Sequence, residues 1–364
     1  TWLNRFQQAF DRWSNLTGIE FVFVTDGVND WDDGAAWNTS SGSATRGDIR
    51  ICMRDIDGTS GILAFAQFPG GGSGGNIVMD RAESWSLATS QHRFLRNTVM
   101  HETGHSIGMF HVCPANNTKL MEPALSMSFL GPQQDDIRGA HELYGDIYEA
   151  NNGPNRSFDL GTLAEGSPIV VGDIAAATPP NATRLSMDAD GERDWFSFTV
   201  DSPGDVTITV TPIGSTYDSS QQLSNGACSS GNNVNAKRQA DLAFDLYDTD
   251  AATVLNTADA TGLGSAESLV DEPLAAAGTY FIRVFETNAP TEVQLYQIDL
   301  SFVAAALCPG DVNGDQVVDL TDLAILLSNF DATNATREMG DLDGDGLVGL
   351  TDLALLLAAF DVPC

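Results

Sequence analysis

The chain has 364 residues, more than one hydrophobic core organises, so two or three domains are expected. With 50 acidic against 17 basic residues its formal net charge is −33, which makes nucleic acid and anionic membrane poor partners and points either to divalent cations or to adaptation to a salty medium. No apolar run of the roughly 18 residues needed to span a bilayer occurs, so no membrane insertion is expected.

Trp2, Phe6, Phe10 and Trp13 recur at helical spacing and predict a helix over residues 2–16. No strand precedes it, so a precursor extending upstream, with any signal and pro-region, is expected. Further helical patterns over 87–107 and 133–144, with short strands at 19–24, 48–53 and 62–68, give an α/β region ending near 147. From 151 to 303 the pattern becomes alternating, as in WFSFTV from Trp195, VTITV from Val206, AFDLY from Ala243 and TYFIRV from Thr279, which predicts an antiparallel β-sandwich. Residues 308–364 hold an internal repeat: DVNGDQVVDLTDLAILLSNF at Asp311 returns as DLDGDGLVGLTDLALLLAAF at Asp341.

Of five cysteines, Cys308 and Cys364 bracket this last segment and are expected to form a disulfide. In the chain-entropy picture such a loop contributes about 4 kcal/mol, and it places the protein in an oxidising compartment. Cys52, Cys113 and Cys228 carry no pairing signal beyond one further bridge plus a buried thiol.

The run HETGHSIGMFH carries the chemistry. His101 and His105 lie four apart and share a helix face, so both imidazoles can reach one metal, with Glu102 beside them to act on water. Gly108 lets the chain turn in a left-handed conformation and bring His111 back as a third ligand. Three imidazoles leave one position of a tetrahedral zinc open, as catalytic zinc requires. Three of the chain's five histidines fall on this pattern.

With Met121 in KLMEP, this run resembles the metzincins (zincin-like α/β peptidases), and within them the matrixins, over residues 1–147 without their first strand. The resemblance implies a Met-turn at Met121, with Met127 a weaker competitor, and Pro123 stands where other metzincins carry a zinc-binding tyrosine. It implies that Asp135 and Asp136 in GPQQDDIRGAHELYG anchor the site's floor. In DIDGTSGILAFAQFPGGGSGGNIVMDRAE it implies calcium on Asp57, Asp80 and Glu83, and an edge strand at 62–68 to which an extended peptide substrate adds by main-chain hydrogen bonds. Phe65 and Val78 replace the family's structural-zinc histidines, so one zinc is expected. Val112 departs from the family's usual serine after the third histidine.

Residues 151–303, through ERDWFSFTV, DLAFDLYDTD and AGTYFIRVFE, resemble bacterial pre-peptidase C-terminal domains. Nothing there looks catalytic, Asp188, Asp190, Asp194 and Asp248 read as turn residues, and the expected role is spacer, folding aid or weak binder.

In the terminal repeat, oxygen ligands stand at positions 1, 3, 5 and 12 of two calcium loops. These are Asp311, Asn313, Asp315 and Asp322, then Asp341, Asp343, Asp345 and Asp352, with the carbonyls of Val317 and Leu347 at position 7. Gln316 stands where glycine is expected, whereas the second loop has Gly346 there, so the first loop is expected to be the weaker or more strained. Leu320, Leu323, Leu327 and Phe330, and their counterparts Leu350, Leu353, Leu357 and Phe360, predict two helices packed on one another. Aspartate at position 12 resembles type I dockerins, small EF-hand-like helical modules that bind cohesins. The matching Leu320-Thr321 and Leu350-Thr351 imply a near-twofold docking surface; the alternative is a calcium-stapled cap.

The whole reads as a multidomain secreted zinc metalloendopeptidase, extracellular or on a bacterial cell surface, with two calcium ions in the dockerin, one in the catalytic domain, and a cohesin-bearing scaffold as partner. The rival is a catalytically degenerate, calcium-dependent anchoring protein.

Overall fold

A computed structural model describes residues 2–24, 47–70, 74–85, 89–172, 185–188, 191–288, 292–305 and 308–360. The first helix, α1 (Trp2–Ser14), buries Ala9 and Trp13 against α2 (Arg93–Ser106), and the Trp13 indole donates to the Met100 carbonyl at 2.9 Å. Three short strands, β1 (Ile51–Arg54), β2 (Ala64–Ala66) and β3 (Ile77–Asp80), form a sheet in the order β1-β3-β2, with β1 parallel and β2 antiparallel to the fully buried β3. Among the described residues this leaves β2 at the edge. The two-residue β4 (Val112–Cys113) and α3 (Gln134–Tyr144) complete the region.

The strand expected at 19–24 is absent. Two of its amides go to hydroxyls, Ile19 N–H to Thr17 and Phe21 N–H to Ser14. Phe21 still packs on Phe10, so the apolar pattern reflects local packing. The helix expected from residue 87 starts at Arg93, after a short 3-10 turn at Thr89–His92.

The middle region has β5 (Phe158–Thr162), β6 (Ile169–Val171), β7 (Leu185–Met187), β8 (Arg193–Val200), β9 (Gly204–Ile213), β10 (Thr216–Gln221), β11 (Asn232–Asn235), β12 (Leu242–Tyr247), β13 (Val254–Ala258), β14 (Glu267–Leu274), β15 (Gly278–Glu286) and β16 (Gln294–Ala304). One sheet runs β13-β12-β15-β8-β5, the other β14-β9-β16-β6 with β7 also on β16. Inward residues of both, among them Phe196, Phe244, Ile282, Ile208 and Ile298, form one buried cluster. The pairing is antiparallel except β5 with β8, which is parallel.

This region is not a free spacer. Leu16 and Ile137 pack with Ile213, Val293 and Leu295 across the junction, and the Arg138 guanidinium donates to the Val293 carbonyl and the Tyr217 hydroxyl. The β10–β11 hairpin leaves both large sheets and adds to β4, pairing Ser220 with Cys113 and Gln221 with Val112. A disulfide joins Cys113 to Cys228, which assigns the bridge that the sequence leaves open, and Cys52 is a free, half-buried thiol.

In the terminal repeat α4 (Leu320–Ser328) and α5 (Leu350–Ala359) bury Leu326 and Leu356, with Leu323, Phe330, Leu353 and Phe360 beside them. Leu320 and Leu350 are 72% and 74% exposed and Leu327 and Leu357 also face solvent, contrary to the predicted stripe. Both helices are apolar on several faces, so spacing alone does not mark the buried one. Cys308 is disulfide-bonded; its expected partner Cys364 lies outside the described residues.

Candidate metal centre

The helix α2 carries His101, Glu102 and His105, and its end is built by hydrogen bonds that reverse the chain. Gly108 N–H donates to the His105 carbonyl and Met109 N–H to the Gly104 carbonyl, at 3.0 and 2.9 Å. This 5→2 and 6→1 pairing needs a left-handed residue, supplied by Gly108 at φ 105°. The turn brings His111 back over the helix.

The three Nε2 atoms converge: His111 Nε2 is 3.1 Å from that of His101 and 3.1 Å from that of His105. Tetrahedral zinc with Zn–N bonds of about 2.0–2.1 Å spaces its nitrogens by about 3.3 Å, so the three fit one ion with small adjustment. Each Nδ1 faces an oxygen: His101 the Leu120 carbonyl at 2.7 Å, His105 the Met109 carbonyl at 2.7 Å, and His111 the Gln222 Oε1 at 2.9 Å. An Nδ1–H donated to each oxygen leaves every Nε2 lone pair directed at the metal position.

Burial, aided by neighbouring His105, lowers the pKa of His101 to about 3, and burial lowers His105 to about 4. Both are therefore neutral, the form that ligates. Glu102 is pushed up to about 8 by burial, and its Oε2 has no hydrogen-bond partner. A divalent cation beside it would bring that value down. The Phe68 ring meets His105 edge-on and stacks on Phe110, forming an exposed apolar wall at the site.

Met121 is wholly buried beneath α2, at a point where Gly104 has no side chain; a Cβ there would lie 2.5 Å from the Met121 sulfur. Met127 is exposed. Below, the buried Asp136 carboxylate accepts from the amides of Leu120, Met121 and Gln133 at 2.7, 2.9 and 2.7 Å. Asp135 does not join it, and instead accepts from the Ser219 hydroxyl on β10.

Asp57, Asp80 and Glu83 surround one loop. Asp80 accepts from the amides of Asp57, Gly58 and Ala82, the last foremost in holding its pKa down. Asp57 accepts from Ile62 and Glu83 from Ser60. Their oxygens do not gather into a group within 4.8 Å, unlike four others among the described residues. Two of those four lie in the terminal repeat: Asp311, Asp315 and Asp322, and Asp341, Asp343 and Asp352. The networks correspond, Asp322 accepting from Val312, Asn313 and Asp319, and Asp352 from Leu342, Asp343 and Gly349. Gln316 takes φ 65° where Gly346 takes 82°, so a side chain is held in the left-handed region.

A further group, which the sequence does not announce, is Glu149, Asp188 and Glu192. Asp146 and Asp194 lie beside them, and Glu149, Asp188 and Glu192 line, with residues 142–145, a cleft of about 660 Å³. Burial first, with repulsion from neighbouring carboxylates adding to it, raises the carboxyl pKa values of Asp146, Glu149, Glu192 and Asp194, Glu192 to about 11. Gln222 was equally hidden in the sequence. It closes a polar run, TYDSSQQ over 216–222, in which nothing marks it out.

Residues 1–145 match the family model for Matrixin, residues 192–286 that for Bacterial pre-peptidase C-terminal domain, and residues 309–360 that for Dockerin type I domain. Among curated proteins, the chain is 36% identical over 143 residues to matrix metalloproteinase-18 of Xenopus laevis, covering 38% of this chain and 28% of the relative. It is 35% identical over 142 residues to interstitial collagenase of Bos taurus, covering 38% and 27%. With stromelysin-3 of Mus musculus the identity is 28% over 185 residues, covering 50% and 34%. The chain thus spans about a third or less of the length of these relatives.

Proposed function

We propose that the chain is a secreted zinc metalloendopeptidase of the matrixin kind, tethered outside the cell by a calcium-loaded dockerin. The observation that carries this reading is the convergence of the His101, His105 and His111 Nε2 atoms beside the unpartnered Glu102 carboxylate. Zinc bound there would supply Lewis acidity to the scissile carbonyl and make water nucleophilic near neutral pH. Glu102 Oε2 takes the proton of the attacking water and returns it to the leaving amine. The free edge of β2 receives an extended peptide by main-chain hydrogen bonds, which selects for unfolded or extended polypeptide whatever its side chains.

The disulfide between Cys113 and Cys228 supports an oxidising, extracellular setting. Among the described residues no helix is long and apolar enough to cross a membrane. Two calcium ions are assigned to the repeats, through Asp311, Asn313, Asp315 and Asp322 and through Asp341, Asp343, Asp345 and Asp352, with the Val317 and Leu347 carbonyls. A further ion on Asp57, Asp80 and Glu83 would require these carboxylates to turn from the backbone amides they accept from. The two facing sheets are read as a β-sandwich and the repeats as EF-hand-like. Exposed Leu320 and Leu350 at equivalent places suit docking to a cohesin-bearing scaffold.

The test is zinc content together with cleavage of a quenched, unfolded peptide. Glu102→Ala is expected to keep the metal and to lose about 10²–10⁴-fold in activity. Normal cleavage by that variant would overturn the role of Glu102, and a wild type that neither holds zinc nor cleaves would leave the anchoring role alone.

A further inference from the structure

We infer that the metal centre is completed by the second domain: Gln222, from the β-rich region, is a positioning residue for the ligand His111. The inference rests on the zinc reading above and goes beyond it, because it makes the neighbouring domain part of the peptidase site.

The three histidines are not held alike. His101 and His105 sit on α2 and direct Nδ1 to carbonyls of their own region. His111 follows the helix on an irregular segment, and its Nδ1 partner comes from 111 residues away. Among the described residues that oxygen is the partner at Nδ1 that chooses its tautomer and fixes the ring's rotation.

Gln222 is itself built into place. Its amide N–H donates to the His111 carbonyl at 3.3 Å, extending the β4–β10 ladder by one residue. Its side-chain Nε2 donates to the Gly226 carbonyl at 2.7 Å, so Oε1 is the atom left facing the imidazole. The turn around it is closed by Leu223 and Ala227, and Cys228 ties the returning chain to Cys113, two residues after His111. Backbone ladder, turn and disulfide all bear on the same few atoms. Partners of this kind orient metal-ligating histidines and raise their basicity, and losing one costs about 10–100-fold in metal affinity.

The experiment measures zinc affinity of the full chain by competition with a chromophoric chelator, and the visible absorption of the cobalt(II)-substituted protein, for wild type, Gln222→Ala and Gln222→Glu. Glutamate keeps an acceptor for His111 and loses the donor to Gly226, so it separates metal positioning from support of the turn. Gln222→Ala is expected to bind zinc about 10–100-fold more weakly with an altered cobalt spectrum, and Gln222→Glu to restore both. Unchanged affinity in Gln222→Ala, or equal loss in the two variants, overturns the inference. Failure of the wild type to bind zinc would overturn the underlying zinc reading instead.

Discussion

Replacing Asp136 should damage both the fold and the metal centre, by an amount that the geometry sets. Its carboxylate is almost fully buried and accepts three amide hydrogens, Met121 on Oδ1 and Leu120 with Gln133 on Oδ2. In Asp136→Ala all three donors lose their acceptor in a site that admits little water. An orphaned buried group costs about 1–3 kcal/mol, and breaking such a charged network typically costs about 3–5 kcal/mol. Asp136→Asn can keep its oxygen toward Leu120 and Gln133 but then turns an NH2 toward the Met121 amide. It should cost less, about 1.5–3 kcal/mol. For a region of this size about 4 kcal/mol lowers the melting temperature by roughly 8–16 °C. Leu120 also holds His101 through its carbonyl, so the Ala variant should bind zinc about tenfold more weakly. Thermal unfolding and chelator competition on wild type, Asn and Ala variants read both effects. An Ala variant within about 1 kcal/mol of wild type, or equal loss in both variants, would refute the reasoning.

Two other perturbations follow from the strained loop and the buried acids. Gln316→Gly relieves a side chain at φ 65°. Less the extra entropy of glycine, it should stabilise the first calcium loop by about 0.5–1 kcal/mol, a roughly two- to fivefold gain in calcium affinity by titration; no gain would remove the strain argument. Glu192 has a folded pKa raised to about 11, above the unfolded value, so the folded chain holds a proton that the unfolded chain has released. Stability should therefore fall as pH rises between about 7 and 9, where histidines are neutral in both states, with Glu192 itself contributing at most about 1.4 kcal/mol per unit. Denaturation midpoints with a chelator present should show a flatter slope for Glu192→Gln; parallel slopes would contradict the assignment.

What the sequence discloses is what short-range geometry determines. The spacing of His101 and His105 puts them on one face, Gly108 permits the reversal that returns His111, and each calcium loop draws its side chains from about twelve residues. The hidden features depend on distant pairing. Gln222 reaches His111 only because β10 joins β4, and Glu149, Asp188 and Glu192 meet only after the β-rich region folds against α3. Composition also misleads at single positions. Asp135 and Asp136 are identical neighbours, yet one turns to the floor of the site and the other to Ser219. Leu326 and Leu327 differ as sharply, one wholly buried and one half exposed.

The separation between His111 and Gln222 also sets an order of events during synthesis. At roughly 5–20 residues per second, a growing chain presents the complete histidine helix roughly 6–20 s before the oxygen that steadies its third ligand has been made. Cys113 waits for Cys228 over almost the same interval, 115 residues. On the reading proposed above, a nascent chain would carry its three converging histidines for seconds before the partner of the third exists, and peptidase activity would arrive only with the domain that follows.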